Sequence, residues 1–252
     1  MSFKTKKSLG QNFLSDTGFI NSVLDKLDLR PTDTVVEVGA GLGILTECLK
    51  SRVKQVISYE IDTRLEPILR EKFKDSNVEL RFEDALSSQI NISNYKLIAN
   101  IPYYITTPLL SKFLDAKDCV DICVLVQEEV AKRICAKPNT SEYGALSVGV
   151  QAVANAQIIK FVSRKMFRPI PNVDSAFVRI QKNNSQIQNG FDAFLKKIFS
   201  RRRKMISNSV SKDILERLCI NGNLRPENLS PNDFVKIFHE TTKDMEMRQS
   251  PK

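Results

Sequence analysis

The run NIPYY puts Asn100, Ile101, Pro102 and Tyr103 directly after the apolar stretch YKLIA. Proline cannot donate to a sheet ladder, so a strand through YKLIA should stop here. The Asn100 amide oxygen and the Ile101 carbonyl are both acceptors, and together they can take the two protons of an exocyclic amine. Tyr103 offers a face that can stack on the ring carrying that amine. Asn-x-Pro is also a common turn opening, so a plain turn with aromatic packing is the competing reading.

A second group of residues bears on the choice. EVGAGLGILT sets Gly39, Gly41 and Gly43 between an expected strand and an expected helix. Glycines there permit a tight turn and a close approach of backbone to a ligand. The spacing is G-x-G-x-G, not the G-x-G-x-x-G of a dinucleotide site. Glu37 lies just before the first glycine, and Glu60 ends the next strand, QVISYE. An acid there meets ribose hydroxyls in nucleoside-binding α/β folds. Asp84, in FEDAL, ends the third strand and suits the amino group of an adenine. Asp62 reads instead as the N-cap of TRLEPILREKF. Strand ends that finish in a glycine turn or an acid describe a nucleoside pocket, and NIPYY becomes its fourth wall.

These groups need a scaffold that brings strand ends together. DTVVEV, QVISYE, VELRFE, YKLIAN and DICVLVQ read as strands. ILTECLKSR, TRLEPILREKF, TPLLSKFLDA and EEVAKRICA read as the helices between them. That alternation predicts a mostly parallel sheet covered on both faces. AQIIKFV and SAFVRIQ, separated by a proline-containing loop, are expected as an antiparallel addition at the sheet edge. The polar stretch QKNNSQIQNG, residues 181–190, reads as a linker. Beyond it FDAFLKKIFS, KMISNSV, KDILERLC and SPNDFVKIFHE read as helices. The expected organisation is an α/β domain over 1–182 and a small helical domain over 183–252 that contacts RNA.

Composition narrows the function classes. A net charge of +9 over 252 residues favours a polyanionic partner but also fits a generic basic enzyme. A single histidine, His239, argues against histidine-based acid–base chemistry and, with no CxxC pair among the five cysteines, against a metal site. The cysteines are read as core residues of a reduced, cytoplasmic protein. There is no apolar run long enough for a membrane span, and the basic start lacks the apolar core of a signal peptide. FSRRRKM can contact phosphate or form a solvated helix face.

KKSLGQNFLSD, EVGAGLGILT, YEID, EDAL, NIPYYITTPLL, VQEEVAKRI, YGALSV and FRPIPNVDSAFVRI follow one another in this order. As an ordered set they closely resemble the ribosomal RNA adenine N6-dimethyltransferases of the KsgA type. The resemblance runs from about Lys6 to Ile180 and continues through FSRRRKMISNSV. It implies a Rossmann-like methyltransferase fold that uses S-adenosylmethionine. Asn12 and Leu14 should line the cofactor pocket, with Gly39 beneath the methionine part and Gly41 completing the turn. Glu60 should hold the ribose hydroxyls, with Ile61 beside it in the cofactor site. Asp84 should meet the cofactor adenine, with Ala85 alongside. Asn100 should stand between cofactor and target amine, and Phe167 should close over a flipped target base, or else be a core aromatic. The implied reaction dimethylates N6 of two adjacent adenosines in the 3′-terminal hairpin of small-subunit rRNA. The implied substrate is an immature 30S-type subunit, and the protein a monomer without metal or membrane attachment. Tyr104 and ITTPLL look more like the small-subunit enzymes than their large-subunit relatives. A large-subunit rRNA methyltransferase and an assembly factor with secondary catalysis stay as alternatives. A nicotinamide oxidoreductase fits the glycine spacing poorly.

Overall fold

A computed structural model describes residues 11–183 and 189–249. Residues 6–10 of the opening motif and 184–188 of the polar stretch lie outside the described residues. The chain divides into two compact units, one of residues 1–131 with 157–182, the other of 132–156 with 183–252.

In chain order the elements are β1 (Phe13–Leu14), α1 (Thr17–Leu24), β2 (Thr34–Val38), α2 (Ile44–Lys50), β3 (Gln55–Tyr59), α3 (Glu66–Lys72) and β4 (Val78–Arg81). They continue as β5 (Tyr95–Asn100), α4 (Thr106–Asp115), β6 (Cys119–Gln127), α5 (Glu128–Cys135), α6 (Ala145–Gln151), β7 (Ala154–Val162), β8 (Phe167–Arg168) and β9 (Ser175–Lys182). The main sheet has seven strands in the order β4-β3-β2-β5-β6-β9-β7. The pairs from β4 through β6 are parallel, and β9 joins β6 antiparallel. This is the expected α/β sheet with a late antiparallel addition. Strand order reverses between β2 and β5, which makes their carboxyl ends the place for a ligand.

The central strands are apolar because both of their faces are covered. Val35, Val36, Leu97, Ile98, Ile122 and Val124 are all buried. Truncating Leu97 to alanine in this core would cost about 2–5 kcal/mol. Helix α1 was not anticipated. Its signal is local: the Asp16 carboxylate accepts from Phe19 N–H at 2.8 Å, and Ile20, Val23 and Leu24 form its buried face. Asp62 caps the helical segment after β3, as expected, but the first turn, Thr63–Leu65, is 3-10 and α3 starts at Glu66.

The second unit has its own core. α7 (Phe191–Phe199), α8 (Lys212–Arg217) and α9 (Pro231–Gln249) supply Phe191, Leu195, Ile214, Phe234 and Ile237. Tyr143 and Val148 complete it, and Tyr143 Oη donates to the Leu229 carbonyl at 2.8 Å. Residues 132–156, which the sequence assigns to the first domain, therefore pack with the later helices. KMISNSV forms only a 3-10 turn, Ile206–Asn208, not a helix. Its backbone is taken elsewhere: Ile206 N–H donates to the Leu224 carbonyl and Ser207 N–H to that of Gly222. Helix α6 was also unforeseen, because valine and glycine are weak helix formers. Its Ser147 and Val148 are buried, so packing rather than propensity holds it.

Candidate active site

Register fixes the centre of the site. Val38 pairs with Tyr59 on β3 and with Ala99 on β5. The next residues, Gly39, Glu60 and Asn100, therefore sit side by side at the carboxyl rim. Gly39 N–H donates to the Tyr59 carbonyl at 2.8 Å. Gly39 has φ +85°, and a Cβ there would lie 3.1 Å from the Asn100 carbonyl oxygen. Only glycine accepts both the left-handed backbone and this approach.

The acids differ sharply in role. Glu60 Oε2 accepts from Gly41 N–H and Oε1 from Asp62 N–H, both at 2.8 Å. Burial raises its pKa, and these amide bonds oppose the rise. Asp62 is bound by the Arg64 guanidinium and by Gln11, and its pKa falls to about 2, chiefly through the Arg64 bond. Glu37 is fully buried behind the wall and does not line the cavity. Its Oε2 accepts from Thr46 at 2.6 Å and Ser58 at 2.5 Å, while Oε1 has no partner. Burial pushes its pKa up to about 7. Asp84 is exposed in a tight turn, with Oδ1 accepting from Leu86 N–H at 2.9 Å. Ala85 beside it is buried.

At the fourth wall, the strand stops at Asn100 and Pro102 leads into a 3-10 turn, Tyr103–Ile105. The Asn100 side chain is half-buried and makes no hydrogen bond with the described residues. Tyr103 Oη is 2.7 Å from Ser175 Oγ at the start of β9, so its ring is anchored. Tyr104 is 65 % exposed. The N-terminal arm crosses above: Gln11 Nε2 donates to Asp62 at 2.9 Å, and the Phe13 ring lies against Gly41. β1 then pairs antiparallel with β8, setting Leu14 opposite Phe167. Leu14 and Phe167 both belong to the buried apolar core. For Phe167 the structure therefore gives the core-aromatic position, and it lines the cavity from within that core.

All these walls enclose one cavity of about 370 Å³. Asn12, Leu14, Gly39, Gly41, Glu60 and Ile61 line it. So do Asp84, Ala85, Asn100, Ile101, Pro102, Tyr103 and Phe167. Ile61 stands at its exposed edge, 56 % accessible. The sequence alone did not single out Gln11 and Phe13, which line the cavity together with Asn12 and Leu14 in the same QNFL arm. It also missed Ser175 and the lysine that braces the glycine turn: Lys72 Nζ donates to the carbonyls of Leu42 and Gly43 at 3.2 and 2.9 Å. Those partners are distant in sequence and leave no local mark. No histidine lines the cavity, and no metal-ligating cluster occurs among the described residues. No helix among them is long and apolar enough to cross a membrane. Cys48, Cys119 and Cys123 are buried and unpaired, whereas Cys219 is exposed. The arrangement can bind a nucleoside on the Glu60–Asp84 side and present acceptors to an amine at Asn100.

Comparison with known proteins gives the same family over most of the chain. The family model described as ribosomal RNA adenine dimethylase matches residues 2–243. Ribosomal RNA small subunit methyltransferase A of Mycoplasma mobile is 40 % identical over 95 % of this chain and 99 % of its own. Among solved structures, a dimethyladenosine transferase from Plasmodium falciparum superposes with a TM-score of 0.84 at 26 % identity, covering 92 % of this chain and 98 % of that one. The 23S rRNA methyltransferase ErmE gives 0.73 at 27 % identity, covering 90 % and 98 %.

Proposed function

The chain belongs to the ribosomal RNA adenine dimethylase family, and from that premise we propose that it dimethylates N6 of two adjacent adenosines in the 3′-terminal hairpin of small-subunit (16S) rRNA. The methyl donor is S-adenosylmethionine, and the substrate is an immature 30S-type subunit. The enzyme acts in the cytoplasm, as a monomer, during ribosome biogenesis. The observation that carries the reading is the register that sets Gly39, Glu60 and Asn100 abreast on one cavity. The small-subunit assignment draws on the Mycoplasma relative. Likeness to the 23S rRNA enzyme structure supports a second reading, methylation of large-subunit RNA.

The residues present fit the cofactor. Each Glu60 oxygen uses one lone pair on a backbone amide and keeps another for a ribose hydroxyl. Asp84 keeps Oδ2 for an adenine amino group, and Gly39, without a Cβ, lets the glycine turn close against the Asn100 carbonyl at the cavity wall. When bound, S-adenosylmethionine supplies an electrophilic methyl group on a sulfonium.

The protein's own work falls on the amine. Adenine N6 is a poor nucleophile because its lone pair is delocalised into the ring. The Asn100 amide oxygen and the Ile101 carbonyl accept hydrogen bonds from its N–H groups, draw it toward tetrahedral geometry and stabilise the positive charge that develops as the methyl group transfers; the resulting cation then loses a proton to water. No strong base is needed, which suits a cavity without histidine. Holding the amine in line supplies much of the remaining acceleration. The target base leaves its stack to enter, with Tyr103 on one side and Phe167 as the buried wall. The direct test is Asn100→Ala. It should abolish methyl transfer while RNA and S-adenosylhomocysteine still bind; normal turnover would refute the role of Asn100.

A further inference from the structure

Lys112 lies in the last turn of α4, the helix that follows the Asn100 motif. Its ammonium donates to the carbonyls of Ala85 at 2.7 Å, Leu86 at 3.0 Å and Ser88 at 2.5 Å. An ammonium has three protons, so this set saturates it. The carbonyls belong to the turn that Asp84 organises. Leu86 N–H donates to Asp84 Oδ1, and Ser88 N–H and Oγ both donate to the Asp84 carbonyl, at 3.0 and 2.8 Å. Burial lowers the lysine pKa and the nearby Asp84 carboxylate opposes that.

Two features make this more than a surface clamp. The turn is otherwise held mainly by its own short-range bonds, and Asp84 itself is exposed. Lys112 is the long-range tie, 24 to 27 residues away along the chain. It also fastens the turn to the helix whose start is set by Pro102 and Tyr103. We propose that Lys112 is a positioning residue for the adenosine end of the cofactor: it holds Asp84 and Ala85 at the cavity wall and locks them to α4, the helix that follows the amine acceptors in the chain. The inference rests on the cofactor reading above. Lys112 touches neither reactant, so it sets affinity rather than the chemical step.

The test compares the full-length wild type with Lys112→Met and Lys112→Arg. Calorimetry gives the affinity for S-adenosylhomocysteine and for 5′-methylthioadenosine, which keeps only the adenosine end. Lys112→Met should weaken both by about tenfold, the loss of one strong charge-assisted anchor. Its kcat at saturating cofactor should stay within about twofold, because the amine acceptors are untouched. Backbone amides of residues 84–88 should exchange faster in the free protein while those of β5 do not. Lys112→Arg keeps the charge but not the compact three-way geometry, so it should fall between the two. Should the methionine variant melt below the assay temperature, the arginine variant decides: about threefold weaker nucleoside binding at unchanged kcat is expected. Unchanged affinity in the variants, or a fall in kcat without one in affinity, would overturn the proposal. Failure of the wild type to bind either compound would instead overturn the cofactor reading, and this inference with it.

Discussion

The Glu60 carboxylate accepts the Gly41 N–H at 2.8 Å, joining the end of β3 to the glycine turn after β2. Its other oxygen accepts the Asp62 N–H at the same distance. The acid thus shapes the pocket with one lone pair on each oxygen and offers the rest to a ligand. In Glu60→Gln an NH2 group must face one of these amides, leaving a buried donor unpaired at about 1–3 kcal/mol. S-adenosylhomocysteine binding should weaken about tenfold or more, and the melting temperature should fall. Unchanged affinity by calorimetry would separate Glu60 from the cofactor.

Glu37 gives a pH dependence with a definite sign. Burial raises its pKa from 4.5 to about 7; the neighbouring Glu60 adds to the rise, while Ser58, Thr46 and Lys72 oppose it. The unfolded chain ionises first, so the stability that the neutral acid contributes is full below about pH 4.5 and is lost as pH climbs through about 7. The size is on the order of 3 kcal/mol. Glu37→Gln mimics the neutral acid, so its stability relative to wild type should rise between pH 5 and 8 in denaturant titrations. A flat difference across that range would mean Glu37 is ionised throughout.

Tyr103 separates ring from hydroxyl. Its Oη meets the fully buried Ser175 Oγ at 2.7 Å. Tyr103→Phe should cost stability, about 1 kcal/mol, and keep methylation within a few-fold. Tyr103→Ala removes the stacking face and should cost about tenfold or more in kcat/KM for RNA. Equal activity of the two variants would exclude stacking on this ring.

The basic segment splits in the same way. Arg202 is committed inside the second unit, to Glu227 at 2.7 Å and to the carbonyls of Ser141 and Thr140. Arg203 and Lys204 are exposed. Arg203→Ala and Lys204→Ala should each lower the slope of log K against log salt by about 1, without changing the melting temperature. Arg202→Ala should do the reverse. A salt slope that responds only to Arg202 would contradict this division.

How much of this could be read in the chain depended on whether a signal was local. The sheet strands, Asp62 as a cap and the glycine turn each rest on residues within a few positions of one another. The pocket was legible for the same reason, since each wall is a strand end marked by glycine, acid or Asn-Ile-Pro. What stayed hidden is made by distant partners. Ser175 matters because Tyr103 reaches it, and Leu14 meets Phe167 through a two-residue ladder too short to show in periodicity. Residues 132–156 joined the second unit because Tyr143 and Val148 complete its core, which no composition shift announces. KMISNSV looked helical until its amides paired with residues 222 and 224.

Labelled S-adenosylmethionine and ribosomal subunits from cells that lack this modification decide whether the enzyme acts as proposed. Immature small and large subunits are incubated separately with the enzyme; one portion of their RNA is digested to nucleosides to identify the labelled base, and another is mapped by primer extension to locate it. Labelled N6,N6-dimethyladenosine is expected from small subunits only, confined to two adjacent adenosines of the 3′-terminal hairpin, and none with Asn100→Ala. Label in large-subunit RNA, or none in either, would contradict the proposed function.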